Sequence, residues 1–101
     1  MGVTLVISPE EKAEVVAILD AHLPPQVEAG VFGSRAAGSA KPWSDLDLAL
    51  RGPEPISLYV TAALREAFEA SSLGWKVDIV DRACVSPAFD RIIESTLTPL
   101  R

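Results

Sequence analysis

Val31-Phe32-Gly33-Ser34-Arg35-Ala36-Ala37-Gly38 is followed, after a short loop, by Ser44-Asp45-Leu46-Asp47-Leu48-Ala49-Leu50. An apolar run breaks at a glycine-serine pair, and a second apolar run then carries carboxylates at alternate positions. Side chains alternate along a strand, so Asp45 and Asp47 share one face while Leu46 and Leu48 share the other. The two carboxylates then lie about 7 Å apart along the strand, close enough to share metal ions. Two such anions converging on one pocket cost a few kcal/mol at an effective dielectric near ~20, a cost that a cation between them removes.

Working upstream, Val27 to Phe32 predicts the first core strand, ending at Gly33-Ser34. Arg35-Ala36-Ala37 is expected to open a short helix with Ser34 as its cap. Strand, glycine turn and helix start together aim backbone N–H groups at one point, which suits a triphosphate. The Gly33-x4-Gly38 spacing is not a P-loop, because Ser39-Ala40 stands where Lys-Ser/Thr is required. Further upstream, Ser8-Pro9-Glu10-Glu11 is a helix start with a capping box, and Val15, Val16, Leu19 and Leu23 recur at helical spacing until Pro24-Pro25. His22 in the last turn reads as a surface histidine. Val3 to Ile7 reads as a short edge strand or an ordered lead-in.

Downstream, Lys41 and Trp43 fall in the loop before the second strand, Asp45 to Leu50. Lys41 reads as solvated; Trp43 reads as a cap on the core or a neighbour for a base. Ser57 to about Ser71 predicts a helix whose buried side is Leu58, Ala62, Leu64, Ala67 and Phe68. Trp75 to Val80 is the third strand. Asp78 and Val80 share one of its faces, Val77, Ile79 and Asp81 the other, so only one of Asp78 and Asp81 can face the Asp45/Asp47 pair. Lys76 offers Asp78 a surface ion pair. Cys84 is expected to be a small buried side chain. Ser86-Pro87 starts a last helix with the stripe Phe89, Ile92, Ile93 and Leu97, ended by Pro99.

The 101 residues suit one domain with a modest core, and 49% apolar content opposes disorder. A net charge of -5 without a basic block argues against binding nucleic acid through its phosphates. One cysteine and one histidine supply neither a disulfide nor a Cys/His zinc cluster. The first residues have no basic n-region and no run reaches membrane-span length, so the cytoplasm is the expected compartment, without a membrane partner.

The Gly-Ser-Arg-Ala-x-Gly turn followed by Ser-Asp-x-Asp-Leu resembles the signature of the nucleotidyltransferase superfamily that includes DNA polymerase beta, in the version found in minimal nucleotidyltransferase domains of prokaryotes. The resemblance covers most of the chain and departs at Ala37, where relatives commonly carry a basic residue. It implies a nucleotidyltransferase fold over residues 1–101, an α/β (α+β) domain with a small mixed β-sheet of three to four strands backed by helices. It implies ATP as substrate and two Mg2+ ions, with Asp45, Asp47 and Asp78 as catalytic and metal-binding carboxylates. Asp78 is placed by the family's third carboxylate, on the strand after the second helix, and Gly33, Ser34 and Arg35 by the nucleotide-binding turn. It further implies AMP transfer to a tyrosine of a HEPN-type toxin, for which the chain acts as antitoxin; a homo-oligomer is compatible with the sequence. The alternatives are a module of this fold that neutralises its partner by contact alone, and nucleotidylation of a small molecule such as an antibiotic with help from a second subunit.

Overall fold

The computed structural model describes residues 5–101. Its elements follow the capping signals closely. Helix α1 (Pro9–His22) begins at Ser8, whose hydroxyl accepts the Glu11 N–H at 3.1 Å while its own N–H donates to the Glu11 carboxylate at 2.9 Å. Strand β1 (Glu28–Phe32) leads into the single-turn helix α2 (Ser34–Ala37), and β2 (Leu46–Arg51) follows the loop. Helix α3 (Leu58–Glu69) is capped by the Ser57 hydroxyl, and β3 (Val77–Asp81) ends in a 3-10 turn at Arg82–Cys84. Helix α4 (Pro87–Thr96) is capped by Ser86, and the short strand β4 (Thr98–Pro99) follows it directly.

The four strands lie in the order β3-β2-β1-β4. β1 is antiparallel to β2 and to β4, while β2 and β3 are parallel, so the sheet is mixed as expected. The fourth strand comes from residues beyond the last helix, which ends at Thr96 rather than at Pro99. Leu5 to Ile7 form no strand; Val6 instead donates its N–H to the Arg35 carbonyl at 2.7 Å. Val3 and Thr4, the start of the anticipated edge strand, lie outside the described residues.

Alternation assigns the sheet faces. Val31, Leu46, Leu48 and Leu50 face α1 and α3, where Val15, Leu19, Leu64 and Phe68 complete the main core. The opposite face carries Phe32 and Ala49, covered by Ile93 of α4 with Val80, Val85 and Leu97 at the margin. On α3 the buried stripe is Thr61, Leu64 and Phe68, spaced by three and four. Leu58, 83% exposed, and Ala62 fall off that stripe, contrary to the sequence expectation, because the helix has more apolar residues than one face can bury. On α4, Ile93 is buried, Phe89 meets Phe32 edge to face at 6.2 Å, and Ile92 is exposed. Cys84 is exposed as well: the 3-10 turn carries it past the end of β3, away from either core. Among the described residues no helix is long and apolar enough to cross a membrane.

Candidate active site

The parallel pairing of β2 with β3 sets Asp47 beside Asp78, in direct register. The antiparallel pairing on the other side sets Phe32, the last residue of β1, beside Asp47. The carboxylates therefore stand on the face that α4 covers, at the edge where β1 gives way to its glycine turn. Asp45 immediately precedes β2 and is exposed; the strand begins one residue later than the sequence suggested. Asp81 points the other way. One of its oxygens accepts the Ile56 N–H at 2.7 Å and the other the Ala83 N–H at 2.9 Å, so it caps the strand end and ties it to the segment before α3. The two candidates for a third carboxylate are thus separated by their faces, and Asp78 is the one that joins Asp47.

Gly33 turns at φ 78°, in the region that L side chains rarely adopt. A Cβ here would also lie 2.6 Å from the Asp47 carboxylate oxygen Oδ2. The glycine is required twice over, by the turn and by the carboxylate packed against it. Gly33 itself is the N-cap of α2, with Ser34 as its first residue, and the Ser34 side chain makes no capping bond. The Gly33 N–H is already engaged, donating to the Thr96 hydroxyl at 2.9 Å. The following N–H groups, of Ser34 and Arg35, meet no acceptor among the described residues.

Arg35 departs most from expectation. The resemblance implies a place for this residue at the nucleotide, with a side chain that neutralises charge there or faces solvent, but the residue is only 3% exposed. Its Nε and Nη2 donate to the Ser44 carbonyl at 3.1 and 2.8 Å, Nη2 also to Pro42 at 3.2 Å, and Nη1 to Val6 at 2.8 Å. The guanidinium carbon lies 4.5 Å from the centre of the Trp75 ring. Four hydrogen bonds to backbone carbonyls take up all but one of its N–H groups, so the side chain is committed to the loop rather than presented to a phosphate. This arginine instead pins the loop between α2 and β2, and with it the approach to Asp45. Trp43, at the tip of that loop, is 73% exposed and does not cap the core. Lys76 pairs with Asp78 at 3.5 Å, the lysine in solvent and the aspartate half-buried, where such a pair contributes little.

Burial first, then the charges of Asp78 and Asp45, push the Asp47 carboxyl above its ordinary range. Among the described residues no cationic side chain pairs with it. A half-buried carboxylate crowded by two others is a donor set suited to a hard divalent cation. Among the described residues, no group of three or more His, Cys, Asp or Glu side chains is gathered closely enough to hold an ion alone. Ligands from a bound substrate, such as phosphate oxygens, would have to complete the shell.

Sequence reasoning missed Thr96. It stands 63 positions from Gly33, at the end of a helix, and nothing in its local sequence distinguishes it from a surface threonine.

A family described as "Nucleotidyltransferase domain" matches residues 5–98. A relative from Haemophilus influenzae, "Probable protein adenylyltransferase MntA", is 45% identical over 87 residues, which cover 86% of this chain and 75% of the relative. Among solved structures, a "toxin-antitoxin with AMP-PNP" superposes with a TM-score of 0.74 at 22% identity, covering 89% of this chain and 72% of that one. A chain of the complex between a tri-AMPylated HEPN toxin from Shewanella oneidensis and MNT antitoxin gives a TM-score of 0.67 at 20% identity, covering 89% of this chain and 68% of that one.

Proposed function

This chain belongs to the nucleotidyltransferase domain family, and from that membership we propose that it transfers AMP from ATP to a tyrosine hydroxyl of a HEPN-type toxin, acting as its antitoxin. One observation carries the chemistry: Asp47 and Asp78 stand in register against a glycine turn that leaves two N–H groups without acceptors among the described residues. The relative named as a protein adenylyltransferase and the AMPylated toxin complex support the acceptor class.

In this reading the Ser34 and Arg35 N–H groups, with the Ser34 hydroxyl, receive phosphate oxygens of ATP. The Arg35 side chain holds the loop rather than the nucleotide. Asp45, Asp47 and Asp78 are the residues that would hold magnesium, which when bound neutralises the triphosphate and acidifies the acceptor hydroxyl. The tyrosine oxygen attacks the α-phosphorus, forming a P–O bond, while the bond to the β-phosphate oxygen breaks and pyrophosphate leaves. The proton of the hydroxyl passes to the Asp78 carboxylate, a general base at the solvent-facing side of the pair. The Asp78–Lys76 contact yields readily to that role because Lys76 is exposed and Asp78 only half-buried.

The test is incubation of the chain with a HEPN-type toxin, ATP and magnesium, followed by mass spectrometry of the toxin. Added AMP on a tyrosine is expected with wild type and none with Asp47→Asn. A toxin silenced without any added mass would establish neutralisation by contact instead.

A further inference from the structure

Four consecutive residues, Thr96 at the end of α4 and Leu97, Thr98 and Pro99 after it, contact β1 or the turn that follows it. Thr98 and Pro99 pair with Val31 and Gly30 as strand β4. The Leu97 side chain lies over Gly30, so closely that a Cβ there would sit 2.8 Å from Leu97 Cδ1 and 3.0 Å from the Thr98 carbonyl oxygen. One step further along, the Thr96 hydroxyl accepts the Gly33 N–H at 2.9 Å. The carbonyl of Thr96 is itself held, accepting the Thr98 hydroxyl at 3.3 Å. The grip therefore reaches past the strand and ends on the turn that touches Asp47.

We propose that Thr96 is a positioning residue of the nucleotide site, whose hydroxyl oxygen holds the Gly33 N–H and so fixes the orientation of the turn against Asp47. The inference rests on the reading of this turn as the phosphate site. Gly33 has the widest conformational freedom of any residue and sits at positive φ, so an external acceptor is what confines its peptide plane. That acceptor must also be neutral. A carboxylate in its place would add a further negative charge beside Asp47, whose carboxyl is already crowded by Asp78 and Asp45. A hydroxyl satisfies both conditions. It takes the Gly33 N–H out of the set offered to phosphate and leaves those of Ser34 and Arg35 as the presented pair.

The alternative is that Thr96 merely fastens α4 to the sheet, and the two roles predict different measurements. Thr96→Val keeps the shape and removes the acceptor; Thr96→Ser keeps the hydroxyl. ATP affinity with magnesium is measured by calorimetry, turnover on the toxin at saturating ATP, and melting temperature on each variant. Loss of one neutral hydrogen bond at the turn is expected to weaken ATP binding about tenfold in Thr96→Val. Thr96→Ser should bind within about twofold of wild type, a difference smaller than one such bond. Turnover at saturation should be nearly unchanged, and the lost bond should lower the melting temperature of Thr96→Val by about a few degrees; a role confined to fastening α4 would give that lower melting temperature with wild-type affinity. If Thr96→Val does not fold, Thr96→Ala carries the same expectation. Wild-type affinity in the valine variant, a serine variant as weak as valine, or a loss confined to turnover would each overturn the inference. Wild type that binds no ATP would overturn the phosphate reading itself, which the wild-type titration shows separately.

Discussion

The two faces of the sheet are built from the same strands and yet do opposite things. On one, Val31, Leu46, Leu48 and Leu50 are fully buried beneath α1 and α3. On the other, Phe32 and Ala49 form a small cluster with Ile93 of α4, and the carboxylates occupy the uncovered end. The strand Leu46–Arg51 contributes to both, its leucines one way and Asp47 and Ala49 the other. The thick face supplies the stability that the thin face consumes by holding carboxylates together. A domain of this size can keep a like-charge cluster ordered only if the backbone beneath it is fixed from the other side.

The sharpest test of that division uses the two aspartates of β3. Asp78→Asn keeps shape and removes the charge, so AMP transfer should fall by about two to four orders of magnitude, the scale of a general base. Asp81→Asn alters a cap on the opposite face and should leave transfer at saturating ATP nearly unchanged. Transfer assays on the two variants check this; equal losses would dissolve the distinction between the faces.

Next in size is the thick face itself. Leu48→Ala removes a fully buried side chain between the strands and α1 and α3. It should cost about 2–5 kcal/mol in urea unfolding. ATP binding by the molecules that remain folded should be retained.

The Arg35 side chain belongs with the framework rather than the chemistry, despite its place inside the motif. Arg35→Met leaves the Ser44, Pro42 and Val6 carbonyls without their donor and should cost about 1–3 kcal/mol of stability. Its ATP affinity, measured where the variant is folded, should change far less than that of a Gly33→Val variant, in which a side chain would enter the Asp47 carboxylate. A phosphate-binding arginine would give the reverse order.

The smallest effect runs against the usual direction for a mutation. Burial and the neighbouring charges raise the Asp47 carboxyl above its ordinary value of 3.8. The folded state therefore holds that proton more tightly than the unfolded state, and stability present at low pH is lost as pH rises through the raised value. Asp47→Asn removes that loss. In EDTA near neutral pH the variant should melt a few degrees above wild type, and the gap should close below the ordinary value, where the wild-type carboxyl is protonated in both states. Thermal melts across pH check the sign: a variant less stable than wild type at neutral pH would mean that the cluster is not strained.

What the sequence determined by itself is whatever is encoded locally. Ser8, Ser57 and Ser86 mark three helix starts because a cap needs only a side-chain oxygen within a few residues of the first turn. Strand alternation assigned Asp47 to one face and Leu46 and Leu48 to the other, and it placed Asp78 and Asp81 on opposite sides of β3. The turn at Gly33 was legible because positive φ narrows the choice of residue. Tertiary structure alone decided what depends on partners distant in the chain. The fourth strand is two residues long and has no pattern of its own; it exists because Thr98 and Pro99 find β1. The motif places Arg35 at the nucleotide, but folding surrounds its side chain with carbonyls from Val6, Pro42 and Ser44, and no local rule announces that a motif residue will be buried. Thr96 became part of the site in the same way, through a single hydroxyl that only the packing of α4 brings to Gly33.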